Sequence, residues 1–325
     1  MKPQFSVSSN GQDITSQISD RLLRLSVKDE AGLKSDTCQI DLDDRGQDLA
    51  LPVTGVELEI KLGYETLTSL GKYAVDEVKL SHPPSRITVR GKSMPNSLKN
   101  KKTRSWDDKQ IGEIVSDIAA EHGLGHRVAS EFQGIKIEHL DQTDESDAHF
   151  LTRIAKEHGA VAKPAGNMLL FIPKGEGKAA SGAQLSTAVV NVEECTTYSC
   201  TQKDRGQFQK VIAKYQDKET GTEKTVEAAG DSSADDDTVT RIKKIFPTME
   251  EAQDAANAEA LELKTGKVEI DLSIIGRPDI FAERPIKLQG FRNPPMGGSD
   301  WIITSVTHEF SERGYTTKIS CSNKG

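Results

Sequence analysis

One pattern of alternating strands occurs twice in this chain, and it constrains the fold more than any other feature. The first copy runs Ile60-Lys61-Leu62-Gly63-Tyr64, then Gly71-Lys72-Tyr73-Ala74-Val75 and Val78. The second runs Ile286-Lys287-Leu288, Gly290-Phe291, then Ser299-Asp300-Trp301-Ile302-Ile303 and Val306. Each closes on a further alternating strand, Ile87-Thr88-Val89 in one and Thr317-Lys318-Ile319-Ser320-Cys321 in the other. Such self-similarity implies two related β modules in one subunit. One chain with two like modules can double the rotational order of a ring, which points to assembly before chemistry.

The chain has 325 residues, enough for two or three domains with separate cores. Only 35% of them are hydrophobic and 28% are charged, so several small domains with much wet surface fit better than one large core. The net charge of −8 argues against a general nucleic-acid binder, which needs a basic stripe. No apolar run is long enough to span a bilayer as a helix, and Met1-Lys2-Pro3-Gln4-Phe5 lacks the apolar centre of a signal peptide. Cys38, Cys195, Cys200 and Cys321 show no metal-ligand spacing and read as reduced, partly buried thiols.

The expected fold class is β-rich α+β: two related antiparallel, barrel-like β domains with a small α/β module inserted between them. Residues 1–103 are assigned to the first β domain, 104–178 to the inserted module and 179–325 to the second β domain, which includes a helix over 248–266. In the first domain Leu23, Leu25 and Val27 alternate with polar residues, as do Cys38, Ile40 and Leu42. Residues 56–62 set every apolar side chain beside a charged one, the mark of a half-buried strand. Pro83-Pro84 and Gly91 keep a helix from forming.

The period then changes. Ser105 is expected to cap a helix carrying Ile111, Ile114, Val115, Ile118 and Ala119 and ending at Gly123. A strand-like stretch over 136–138 follows, and a second helix is expected from Asp144 to Gly159, with Phe150, Leu151, Ile154 and Ala155 inward. A buried strand follows over 168–172, then a Gly/Ala/Lys-rich loop over 175–182. Gly230 to Asp237 reads as a mobile acidic loop. Thr248 with Glu251 forms a capping box for a helix whose inward face is mostly small: Ala252, Ala255, Ala256 and Leu263.

The residues capable of chemistry have simpler readings. His122 and His158 end equivalent helices, where a cation is favoured by the exposed carbonyls. No carboxylate or cysteine is spaced to complete a metal site with them. His82 and His308 have no flanking nucleophile pattern, and GxSxG, HExxH and Walker-type loops are absent from the sequence. Glu145 and Asp147 read as first-turn charge partners of a helix rather than a glycosidase pair. Asp235-Asp236-Asp237 lacks the alternation of a calcium loop. Tyr73, Phe291 and Trp301 read as core. No catalytic, cofactor-binding or metal-binding residue is assigned, and no cofactor is expected.

The run Asp141-Gln142-Thr143-Asp144-Glu145-Ser146-Asp147-Ala148-His149-Phe150-Leu151-Thr152-Arg153-Ile154-Ala155 resembles the Q-x-x-E-S-D-x-x-F-L-x-R-I/L-A signature of the phage late control protein D family. Glu157-His158-Gly159, Gly276-Arg277-Pro278, Leu288-Gln289-Gly290-Phe291, Trp301-Ile302-Ile303, His308 and Gly314-Tyr315-Thr316-Thr317 follow in the same order. The resemblance implies a baseplate hub protein of a contractile phage tail or tailocin, with a fold shared by the N-terminal part of VgrG spikes. It implies a homotrimer whose subunits each give two barrel-like domains to a pseudo-sixfold ring, joining a hexameric tail tube to a trimeric spike. The implied partners are the spike, tube, tape-measure and baseplate wedge proteins, without stable nucleic-acid or membrane binding. The implied location is the virion tail baseplate, assembled in the host bacterial cytoplasm. A VgrG protein would continue into a β-helical needle; because the sequence stops at Gly325, a separate spike protein is expected. The alternatives are a tail-associated peptidoglycan hydrolase, which needs a cleft with a raised-pKa glutamate, the hub part of a type VI secretion-like spike, and a transcription regulator, which needs a basic helix.

Overall fold

Alternation over residues 56–62 produces the strand it implies: Leu58, Ile60 and Leu62 are buried and Glu57 is exposed. The computed structural model describes residues 2–32, 34–93, 95–165, 167–175, 177, 183–202, 209–217, 220–230, 238–264, 268–293, 296 and 298–323. Residues 231–237 of the expected acidic loop, Gly266 and most of the 175–182 loop lie outside the described residues.

The first part of the chain forms β1 (Gln4–Ser9), β2 (Gln12–Asp13), a short α1 (Thr15–Ile18), β3 (Leu22–Glu30), β4 (Thr37–Asp43), β5 (Glu57–Gly63), β6 (Leu67–Ser81) and β7 (Arg86–Lys92). The middle forms β8 (Lys101–Gln110), α2 (Ile111–Glu121), β9 (Gly125–Val128), α3 (Ser130–Gln133), β10 (Lys136–Ser146), α4 (Asp147–Glu157), β11 (Ala160–Ala165) and β12 (Met168–Pro173). The last part forms β13 (Ala188–Asn191), β14 (Cys195–Gln202), β15 (Lys210–Gln216), β16 (Glu223–Ala229), β17 (Val239–Phe246), α5 (Met249–Lys264), β18 (Val268–Ile275), β19 (Pro285–Gln289), β20 (Gly298–Ser311) and β21 (Gly314–Asn323).

Both repeat copies fold as antiparallel meanders, β5-β6-β7 and β19-β20-β21. They belong to one sheet with the order β14-β18-β21-β20-β3-β4-β7-β6-β5-β1-β2, with β13 beside β19. Among the described residues no strand pair closes either half into a barrel; the two halves are arms of one open sheet, joined where β20 meets β3. Cross-strand pairing also corrects the alignment of the copies. Tyr73 stands opposite Leu58 and Trp301 opposite Ile286, so Leu58, rather than Ile60, matches Ile286. A two-residue slip keeps every side chain on the same face, so alternation alone cannot detect it. One pairing differs between the halves: β1 runs antiparallel to β5, whereas β13 runs parallel to β19.

A bulge explains a smaller departure in β3. Its pairing with β4 slips between Leu22 and Arg24, which turns Leu22 rather than Leu23 into the core.

The middle segment has its own core, built from Ile111, Ile114, Ile118, Phe150, Leu151, Ile154 and Phe171 among others. Its helices start later than their sequence signals. Ser105 and Asp144 lie in β8 and β10, which pair with each other, and a helix cannot begin until that ladder ends. Gln110 then caps α2 reciprocally with Glu113, and Ser146 caps α4 by accepting from the His149 N–H at 3.3 Å. Gly123 and Gly159 follow the two helices with φ of 67° and 62°, a left-handed conformation that other residues adopt only with strain.

Between β14 and β18, β15, β16 and β17 form a three-stranded sheet covered by α5. Ala252, Ala255, Ala256 and Ala260 are buried there, and Leu263 is partly buried. Thr248 accepts from the Glu251 N–H at 3.2 Å, as the capping signal implies. The four cysteines form no disulfide.

Candidate assembly interface

The joint between the arms is the feature on which an assembly role depends. Ser305 through Ser311 of β20 pair with Glu30 through Arg24 of β3, so the meander of the second half continues into the first. Phe5 and Phe310 pack with ring centroids 5.0 Å apart, and Tyr64 and Tyr315 at 6.0 Å. Arg24 pairs with Glu309 at 3.1 Å, a partly exposed contact of little energetic weight.

His308 lies beneath this joint, 2% exposed. Its Nε2 is 3.1 Å from the Ile280 carbonyl, which can only accept, so Nε2 carries the proton. Nδ1 is left to accept, and the Tyr315 hydroxyl donates to it at 2.8 Å. Burial pushes the imidazole down to about 4, which keeps it neutral. Its chemistry is that of a buried strut between β20, β21 and the loop at Ile280.

A second buried group ties the inserted module to the same joint. Lys163 of β11 pairs with Asp29, lies 3.3 Å from Asp36 and donates to the Glu30 carbonyl at 2.6 Å. The other Asp29 oxygen accepts from the Ala282 N–H at 2.7 Å, so one ammonium links β3, β11 and the chain leading into β19. Desolvation raises Asp36 to about 7 against the pull of Lys163, and burial raises Glu283 beside it. These groups border a cleft of about 320 Å³ that Tyr73 and Phe281 also line.

The third polar cluster lies in the middle segment. Asp147 is fully buried and accepts from Lys102 at 2.6 Å, Arg104 at 2.7 Å, His122 at 2.7 Å and Gln142 at 2.8 Å. Burial works to raise this carboxyl, but Lys102, Gln142, His122 and Arg104 together hold it below its usual range. Glu121 joins the same cations, and Arg104 lies 4.3 Å over the Trp106 ring. The ligand atoms of Glu121, His122 and Asp147 fall within 4.8 Å of one another. Lys102 and Arg104 already occupy those carboxylates, so an added metal ion would meet two positive charges. The cluster reads as a structural ion-pair knot.

The structure separates residues that the sequence placed together. Asp147 does lie in the first turn of α4, as the charge-partner reading expects, and also enters the knot, whereas Glu145 lies in β10 and binds Arg153 at 2.7 Å. His122 and His158 do occupy the C-caps of α2 and α4, but they face different groups. His122 bonds Ser97 and Asp147, whereas His158 lies 3.9 Å from Asp254 of α5. The carboxylate beside His122 therefore comes from across the fold, where sequence spacing could not reveal it. Lys163 left a usable signal, as the lone charge in the strand Ala160-Val161-Ala162-Lys163-Pro164-Ala165.

A family model described as phage tail baseplate hub matches residues 72–314, which include the inserted module, β7 and the strands β13 to β20. The chain belongs to the phage tail baseplate hub family. It is 31% identical to the probable baseplate hub protein of Escherichia phage P2, over 98% of this chain and 92% of that protein. Its fold is similar to that of a 43 kDa tail protein of prophage MuSo2 from Shewanella oneidensis, with a TM-score of 0.72 at 13% identity over 98% of both chains. It is also similar to an Escherichia coli component of the type VI secretion system, with a TM-score of 0.60 at 12% identity over 100% of this chain and 77% of that one. Membership assigns this baseplate hub family protein a structural role in a contractile tail.

Proposed function

We propose that three copies of this chain form the pseudo-sixfold ring of a contractile tail, joining a sixfold tube to a threefold spike. The observation that carries this reading is the match between the two meanders, which form arms of one sheet. Three subunits with two like arms present six similar positions on one side, while keeping true threefold symmetry on the other. In this reading the domains are residues 1–103, 104–178 and 179–325; the middle segment has an apolar core apart from those of the arms, although that core takes in Leu98 and its strand β8 begins at Lys101.

The ring works by adapting symmetry and transmitting force, without bond chemistry. The spike and tube proteins bind its two faces, the tape-measure protein passes through it, and wedge proteins meet the inserted module outside. It is a virion component, assembled in the host cytoplasm. The net charge of −8 suits a lumen that lets DNA pass without adhering, because an acidic wall repels phosphate.

The test is the solution mass of the purified chain, alone and mixed with the spike protein encoded beside it. A trimer in either sample, seen as a ring by negative stain, is the expected result. A strict monomer that ignores the spike would overturn the reading, and cell-wall hydrolysis would then be the next activity to assay.

A further inference from the structure

Two irregularities of strand pairing recur at equivalent places in the two arms. The β6–β7 pairing slips between Val75 and Glu77, and the β20–β21 pairing slips between Ile303 and Ser305. Likewise the β3–β4 pairing slips between Leu22 and Arg24, and the β14–β18 pairing between Cys195 and Thr197. Bulges are specific local features, so their coincidence fixes the correspondence residue by residue. Counting from them, Val78 matches Val306 and Leu80 matches His308. Val27 matches Cys200, because Val27 faces Cys38 and Cys200 faces Ile270, while Cys38 and Ile270 face Gly91 and Cys321 of the matching strands.

Within the chain, β20 uses its outer edge to bind β3, with His308 opposite Val27. The matching edges are the outer edge of β6 over 77–81 and the outer edge of β14. Among the described residues β14 pairs only with β18, and residues 77–81 pair only with β7. Exposure follows pairing. His308 and Val27 are 2% and 1% exposed, whereas Leu80 is 57% exposed and Tyr198, beside Cys200 on β14, is 50% exposed. A long unpaired edge carrying large apolar side chains is a template for another strand.

We infer that the occupant is a second copy of this chain, with β14 of one copy lying antiparallel on β6 of the next and repeating the internal joint. The register carries over from that joint: Val78 opposite Gln202, Lys79 opposite Thr201, Leu80 opposite Cys200 and Ser81 opposite Ser199. The contact is head-to-tail, so each copy keeps one edge for each neighbour. Closure after three copies rests on the ring reading above; six joints then alternate around the sheet, three within chains and three between them. The strand-to-strand register is the new content.

The native Cys200 makes the test direct. Directly opposed antiparallel residues have Cα atoms about 4.5–5.5 Å apart, inside the roughly 4.4–6.8 Å window for a disulfide. Leu80→Cys, oxidised with diamide in the assembled protein, is expected to give covalent dimers and trimers on a non-reducing gel. Reductant should dissolve them, and adding Cys200→Ser should abolish them. Lys79→Cys presents its side chain on the opposite face, and loss of linkage is expected there. Leu80 and Lys79 are both exposed, so a melting curve matching the parent confirms that each variant is folded. A trimer by mass that fails to link through Leu80→Cys, or links equally through Lys79→Cys, would overturn the register and leave the ring standing. A monomer in every mixture would overturn both.

Discussion

His308 shows how a titratable residue can serve as structure. Its ring is neutral and engaged by Tyr315 and the Ile280 carbonyl, so protonation would add a buried charge with only the Tyr315 and Thr317 hydroxyls, and no carboxylate, bonded to the ring. The folded-state value of about 4 lies below the ordinary 6.5. Stability from this site is therefore complete above about pH 6.5 and is lost as pH falls towards about 4, by roughly 3 kcal/mol in total. Asp36 works in the opposite sense, because its carboxyl is raised to about 7 and its protonation favours the folded state. The informative comparison is thus between His308→Gln and the parent in urea unfolding at pH 7 and pH 4.5. The variant is expected to be less stable at pH 7, with the difference narrowing at pH 4.5; an unchanged gap would mean that His308 does not titrate with unfolding. At this scale the sequence was partly legible. The C-cap positions of His122 and His158 followed from helix period and the glycines after them. The knot around Asp147 did not, because Lys102, Arg104, His122 and Gln142 are brought to it by three different elements. Asp147 in sequence is only another acid near a helix start.

At the scale of elements, periodicity identified kinds of structure better than their limits. The ladder of β8 with β10 defers both neighbouring helices, and cross-strand partners are what a cap signal such as Ser105 cannot reveal. The α5 helix was more legible, since its cap and its small inward face are both local. Ala252 and Ala256 are fully buried against β15 and β16, where a larger side chain has no room. Ala256→Leu is expected to cost about 1–3 kcal/mol by overpacking. Exposed Asn257 on the same helix offers the control, Asn257→Leu, which should leave stability within about 0.5 kcal/mol. Equal melting temperatures for the two variants would show that α5 does not pack closely on its sheet. The slip of two residues between the repeat copies has the same origin as the helix offsets. A period-2 pattern fixes faces, and only the partner strand fixes register.

At the scale of the whole molecule, the repeat made two matched halves legible, but not their fusion into one sheet. The joint brings together residues as far apart as Arg24 and Glu309, 285 positions along the chain, and neither strand carries a mark of the other. Lys163 is what makes the inserted module part of that joint. Replacing it by methionine preserves most of its bulk while leaving Asp29 and Asp36 without their cation. At pH 8, above the value of about 7 that Asp36 has with Lys163 in place, the parent keeps this ion pair, and losing one partner of a buried pair costs about 3–5 kcal/mol. Asp36 is already raised to about 7 with Lys163 in place, and removing the cation raises it further. At pH 5.5 it is therefore protonated in the variant, and the deficit should shrink. Lys163→Met compared with the parent in urea at the two pH values measures this, and hydrogen exchange locates it. Accelerated exchange should spread through β3, β11 and the segment around Ala282 together, because one ammonium holds all three. A loss confined to β11, or one equal at both pH values, would mean that the module is merely attached to the sheet. A coupled loss would mean that the buried Lys163 ion pair holds the inserted module and the joint together as one cooperative unit.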